Sequence, residues 1–237
     1  MTLYRYDSDI FRQYREQAAN VAEVRQRLTD ITAYAKESGD LAPVHDVFHE
    51  LTLRTEELTA VRASLGPQAV FLATYGVEIL NDHTVSFVIP KGCSRLDLLE
   101  ESQELARKHL IVHPAELASW RSDPRFVSRV GRSEKVCIDG HVQGLTAQSR
   151  GRQAELLAEK GLTAATLQDV AVAFAVFYIA TEQPLFGWHD RSIHLTFWIR
   201  AHGGVLGFGE GGLDSCECDG DGGFPHVATA ARIEPAR

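Results

Sequence analysis

Basic charge is the first thing this sequence has little of. Its 24 lysines and arginines stand against 32 aspartates and glutamates, a formal net charge of −8 at pH 7. A predominantly electrostatic nucleic-acid binder needs a cationic footprint, so nucleic acid is not an expected partner. Long apolar runs are also lacking. The longest, Val170 to Ala180 (VAVAFAVFYIA), falls short of the roughly 20 residues that cross a bilayer. No membrane partner is therefore expected. The opening stretch, MTLYRYDSDIFRQYREQ, has no apolar core of a secretory signal. The 4 cysteines follow no regular disulfide framework, which fits reduced thiols and makes the cytoplasm the expected location. The glycine-rich stretch 203–212 has neither the lysine and hydroxyl of a phosphate loop nor the spacing of a dinucleotide fingerprint. Internal repeats are absent.

What is present points to a packed protein. A hydrophobic content of 44% is enough to bury a core in one good-sized domain with an appendage. The appendage is the clearest pattern. Ile10, Tyr14, Gln17, Val21, Val24, Leu28, Ile31 and Ala35 alternate at spacings of four and three, the repeat that holds one seam against a partner helix. Ser38-Gly39 supplies a stop, and Asp40 an N-cap with Pro43 in the following first turn. Val44, Val47, Leu51, Leu58, Val61 and Leu65 then repeat the seam, with Arg54 as the exception. Two such helices on a short link predict an antiparallel, coiled-coil-like hairpin over 1–65. Because a two-helix seam has little cover of its own, residues 10–65 are expected to meet the following domain, a protein partner or a second copy.

Beyond Gly66-Pro67 the pattern predicts an α+β domain over 66–237, with a mixed or antiparallel sheet and a buried central helix. Ala69 to Leu80 and Thr84 to Ile89 read as strands joined by Asn81-Asp82-His83. Ser94 with Asp97 is a capping-box pattern, and His113-Pro114 and Asp123-Pro124 are helix starts. Lys135 to Leu145 reads as strand and Arg150 to Lys160 as helix. Thr163 or Thr166 caps a helix through Thr181 that is apolar nearly all round. Ile193 to His202 and His226 to Ile233 read as strands.

Several constellations could carry chemistry. Cys137, Asp139 and His141 alternate on one strand face, but neighbours there stand roughly 7 Å apart, too far for the direct hydrogen bonds of a catalytic triad. A metal ion bridges such a gap more easily. Cys216 and Cys218, followed by His226, are also zinc-ligand types, without the second pair of a zinc finger. No cofactor is expected as a matter of course; zinc on Cys137, His141, Cys216, Cys218 and His226 is the candidate, weighed against a buried thiol and a glycine-rich turn. His45 and His49 sit one helical turn apart, but Asp46 stands where the zincin motif requires Glu. Arg121, Arg125, Arg129 and Arg132 suit anion recognition or a solvated helix face.

The fourth constellation is a strand face. His194, Trp198, Arg200 and His202, with Thr196, lie opposite Ile193, Leu195, Phe197, Ile199 and Ala201. A tryptophan among an arginine and histidines can stack on a ligand and contact its anionic group. The competing reading is a solvated rim. The expected function is assembly, by self-association or partner binding through the hairpin; the alternatives are a metal- or cysteine-dependent enzyme using the Cys137-Asp139-His141 strand or the C-terminal Cys/His cluster, and a small-molecule or anion-binding module.

Overall fold

The computed structural model describes residues 9–38, 42–106, 111–140, 145, 148–186, 188–190, 195–196, 198–202, 204–209, 211–216 and 227–233. The chain divides into two compact units, Met1–Thr74 and Tyr75–Arg237.

The first unit is built on the heptad seam. Helices α1 (Asp9–Ser38) and α2 (Ala42–Ser64) pack closely along each other as a hairpin. Tyr14, Val21, Val24 and Ala35 of α1 and Val47 of α2 are buried, while Leu28, Ile31, Leu51 and Leu58 are half-buried. Arg27 and Glu50 form an exposed ion pair across the two helices at 3.1 Å. Polar Gln17 sits in the seam with its Oε1 buried and without a hydrogen-bond partner among the described residues. The Asp40 cap lies outside the described residues.

The segment after Leu65 differs from the sequence expectation. Ala69 to Leu80 reads as strand, yet Pro67–Thr74 forms a helix, α3, and only Glu78–Asn81 is strand, β1. Short apolar runs carry no decisive period, and Pro67 is well placed in a first helical turn. Tertiary packing then decides: Ala73, Ala69 and Val70 close over Tyr14, Leu58, Val61 and Leu65. Gly76, at φ +54°, makes the left-handed turn out of the helix.

The second unit has two main sheets around one helix. Strand β2 (Thr84–Ile89) pairs antiparallel with β1 and with β3 (Glu134–Asp139). Helix α4 (Arg95–Leu105) opens on the expected capping box, Ser94 with Asp97. Helices α5 (Pro114–Trp120) and α6 (Pro124–Val127) start at the two expected prolines, and Trp120 stacks on Phe126 at 4.4 Å. Helix α7 (Arg150–Glu159) is capped by Ser149 and followed by Gly161 at φ +68°. Thr163 falls in β4 (Thr163–Ala164), so it is Thr166 that caps α8 (Leu167–Thr181).

Helix α8 is the buried centre. Twelve of its residues are buried, which its apolar circumference requires, and it packs against α4, β2 and β3. It also packs against β7 (Trp198–Ala201) and β8 (Gly204–Gly209). These two strands continue the second sheet, β10–β7–β8–β9, with β9 at Gly212–Cys216 and β10 at Val227–Thr229. A short ribbon of β5 (Trp188–Asp190) and β6 (Leu195–Thr196) completes the set. Within the glycine-rich stretch, β8 and β9 pair antiparallel.

The last expected strand, 226–233, is interrupted in the middle. Residues 227–229 run parallel to β7, whereas β11 (Ala231–Arg232) pairs antiparallel with β3 and β4 in the first sheet. Ala230, fully buried, lies at the change, donating its N–H to Arg200 and accepting from Ala165. Both hydrogen-bonding edges are thus used by one short segment.

A buried carboxylate ties these layers together. Asp169, in the first turn of α8 and 1% exposed, accepts from Arg95 Nε at 2.7 Å and from Arg232 Nη1 at 3.2 Å. The same two arginines reach Glu134 Oε2 and Oε1 at 3.2 and 2.9 Å. Burial works to raise the Glu134 carboxyl, but Arg232 and Arg95 outweigh it and hold it below its ordinary range.

Removing Asp169 leaves two inward-facing guanidinium groups short of an acceptor, so Asp169→Ala should destabilise the protein by about 3 kcal/mol in urea denaturation. Glu134 contributes stability above the ordinary carboxylate value of 4.5, lost as pH falls below it through the lower folded-state value. Glu134→Gln should therefore flatten that acid limb of the stability–pH curve; an unchanged slope would remove Glu134 from the account.

Candidate functional site

Where residues 227–232 pass from one sheet to the other, a cavity of about 210 Å³ opens. Its walls are Arg150, Gln153, Ala154 and Leu157 of α7, Ala164 of β4, Arg200, Ala201 and His202 at the end of β7, and Thr229 of β10. Arg150 and Arg200 bring positive charge to the lining, and among the described residues no carboxylate lines the cavity.

The local folding explains how polar groups come to lie inside. On α7, Gln153 and Leu157 are one turn apart and share the inward face, both 2% exposed. Leu157 joins Leu145 and Ala231 in a small apolar cluster flanked by Leu156 and Leu162. Gln153 is thereby carried into the interior, where Nε2 donates to the Leu145 carbonyl at 2.7 Å. With its amide fixed that way, Oε1 turns to Arg200 and accepts from Nη1 at 2.7 Å. The reverse amide orientation would set donors against donors.

Arg200 is 8% exposed, so its charge is held out of bulk water. Beside it, Thr229 is its register partner across the parallel β10–β7 pair, placing the two residues on one sheet face. Thr229 is 3% exposed, and its Oγ1 has no hydrogen-bond partner among the described residues. A buried hydroxyl left unpaired costs of order 1–3 kcal/mol, which marks the position as one where a partner would be gained.

The expected strand face is therefore only partly a rim. Arg200, expected either at a ligand or in solvent, is buried; His202 is exposed; Trp198 is half-buried. Arg200 and His202 come together at the cavity, while Trp198 does not line it. Its indole instead lies over Gly207 of β8, where an added Cβ would stand 2.9 Å from the ring. His194 lies outside the described residues. Arg150, Gln153 and Thr229 were not singled out by sequence reasoning. The signal available for Gln153 was its place one turn before Leu157 on the apolar side of a helix.

The metal candidates do not assemble among the described residues. No group of three His, Cys, Asp or Glu side chains that could hold an ion occurs there. Cys137 sits on β3 and Cys216 on β9, in separate sheets. His141, Cys218 and His226 lie outside the described residues. Burial pushes the Cys137 thiol up; Lys135 opposes this, and Asp139 and Glu78 add to it. That is the reverse of an activated nucleophile. His45 and His49 are exposed on α2. Of the arginine series, Arg121 pairs with Glu100, Arg125 with Asp123, and Arg129 donates to the Gly92 carbonyl, which accounts for three of the four as surface contacts.

Comparison with protein-family models, with curated proteins and with solved structures finds no match. The cavity's own chemistry is what speaks for a function. No helix among the described residues is long and apolar enough to cross a membrane.

Gly207 is set by the Trp198 ring. Gly207→Ala should displace the indole or the strand and destabilise the protein by about 1–3 kcal/mol, with a change in tryptophan emission. Unaltered emission and stability would mean that the ring yields freely.

Proposed function

We propose that this protein is a small-molecule-binding module that takes its ligand in the cavity between α7, β4, β7 and β10. The observation that carries the reading is the trio of buried polar residues at that cavity. Arg200 and Gln153 are hydrogen-bonded to each other, and Thr229 Oγ1 lacks a partner among the described residues. The surrounding Ala154, Leu157, Ala164 and Ala201 give apolar walls. Apolar walls with a few converging polar groups are the usual make-up of a ligand pocket. The volume is below the roughly 300 Å³ at which drug-sized pockets begin, which favours a small metabolite.

Ala154 is exposed at the wall, so a large side chain there obstructs the cavity without entering the core. A library of charged and neutral fragments, observed by saturation-transfer NMR, should give hits on the full chain that Ala154→Phe abolishes. Hits that persist in Ala154→Phe, or no hits at all, would overturn the reading.

A second reading, association through 10–65, draws on the apolar side chains that the hairpin leaves outside. Tyr34, Phe48 and Leu53 are 63%, 58% and 47% exposed. Five seam residues are buried within the first unit, while Leu28, Ile31, Leu51 and Leu58 are half-buried and could add to the contact of these three. On this reading light scattering of the full chain gives a mass above that of a monomer, and Phe48→Glu lowers it. A monomeric mass for the unaltered chain would end it.

A further inference from the structure

Two buried side-chain polar atoms stand without a hydrogen-bond partner among the described residues, Gln17 Oε1 in the first unit and Thr229 Oγ1 in the second. Thr229 is the one that lines the cavity. The other buried polar groups of that lining are engaged within the protein. Gln153 is used at both ends, its Nε2 by the Leu145 carbonyl and its Oε1 by Arg200. Arg150 and Arg200 likewise have interactions inside the protein. His202 is exposed and meets water. What the cavity asks of a ligand is therefore set by one hydroxyl.

A hydroxyl asks for a single polar group and brings no charge. Thr229 Oγ1 can donate one proton and accept others, so an alcohol or a carbonyl oxygen satisfies it. A charged ligand fits less well. Its desolvation is offset only by a countercharge free to meet it, and the arginines of the lining are already engaged. The body of the ligand meets Ala154, Leu157, Ala164 and Ala201, which offer no hydrogen-bonding side chains. A space of 210 Å³ equals the liquid volume of about seven waters, so the ligand has on the order of ten non-hydrogen atoms.

We infer that the ligand is a small uncharged molecule with one hydroxyl or carbonyl oxygen on Thr229 Oγ1 and a hydrocarbon body against α7 and β4. This rests on the binding reading above and narrows it to a chemical class. The oxygen gives the Thr229 hydroxyl the partner that the protein does not supply. A hydrocarbon of the same shape fills the space but leaves that hydroxyl unpaired.

The test compares oxygen compounds with hydrocarbons of matching shape. Cyclohexanol, cyclohexanone and benzyl alcohol are titrated into the full chain beside methylcyclohexane, methylenecyclohexane and ethylbenzene, by calorimetry and ligand-observed NMR. Benzoate and cyclohexylammonium represent the two signs of charge. The same titrations are made on Thr229→Val, so that the hydrogen bond is read as a difference of differences. The affinity ratio of oxygen compound to hydrocarbon should be about three- to tenfold higher in the unaltered chain, the weight of one neutral hydrogen bond. Thr229→Val exchanges an unpaired buried hydroxyl for a methyl group, so its urea midpoint should be no lower than that of the unaltered chain. If it does not fold, as circular dichroism would report, Thr229→Ala replaces it in the comparison. An equal ratio in both chains, with binding blocked by Ala154→Phe, would overturn the hydroxyl assignment and leave the binding reading intact. Tighter binding of benzoate or cyclohexylammonium than of the alcohols would overturn it in favour of a charged ligand. Absence of binding by every compound in this set would also overturn it; the fragment library then decides separately whether the binding reading survives.

Discussion

The second unit depends on one buried carboxylate. Asp169 is almost wholly removed from water, and an isolated charge in that position would be prohibitive. It is tolerable because Arg95 arrives from α4 and Arg232 from β11, and both also grip Glu134 on β3. The position in the first turn of α8 adds the favourable end of the helix dipole. Four elements remote in sequence must therefore be in register at once. Such a network contributes less to net stability than its short distances suggest, since desolvation offsets much of the attraction. What it does supply is a penalty on any arrangement that leaves one member behind.

The cavity follows from the same topology. Helix α8 packs against both sheets, and at its start Thr166 and Leu167 run beside His202 at the end of β7. At that junction 227–232 passes from one sheet to the other, and α7 covers the outside. Packing differently directed elements over a change of strand partner leaves a gap, walled in part by the small Ala154, Ala164, Ala201 and Thr229, with Arg200 held towards Gln153.

Much of this architecture was legible in the sequence because its signals are local. The heptad seam, the two proline helix starts, the Ser94–Asp97 capping box and the apolar circumference of α8 each lie within a few residues. Segment 67–74 reads as strand from sequence because eight apolar-rich residues fit either period; its packing on Leu58, Val61, Leu65 and Tyr14, the last 60 positions from Thr74, decides for helix. The site was half legible. Arg200 and His202 stood out as polar residues on a well-patterned strand, but whether that face met water or protein depended on Gln153, 47 residues upstream. Thr229 carries no signal in the sequence, since its meaning lies in burial without a hydrogen-bond partner among the described residues.

The passage of one segment between two sheets has a mechanical consequence. Thr229 lines the cavity and Arg232, three residues on, is clamped to Asp169 and Glu134. With Ala230 fully buried between them, the cavity wall and the ionic cluster are held only three residues apart on one stretch of chain, so a substitution that shifts either one bears on the other.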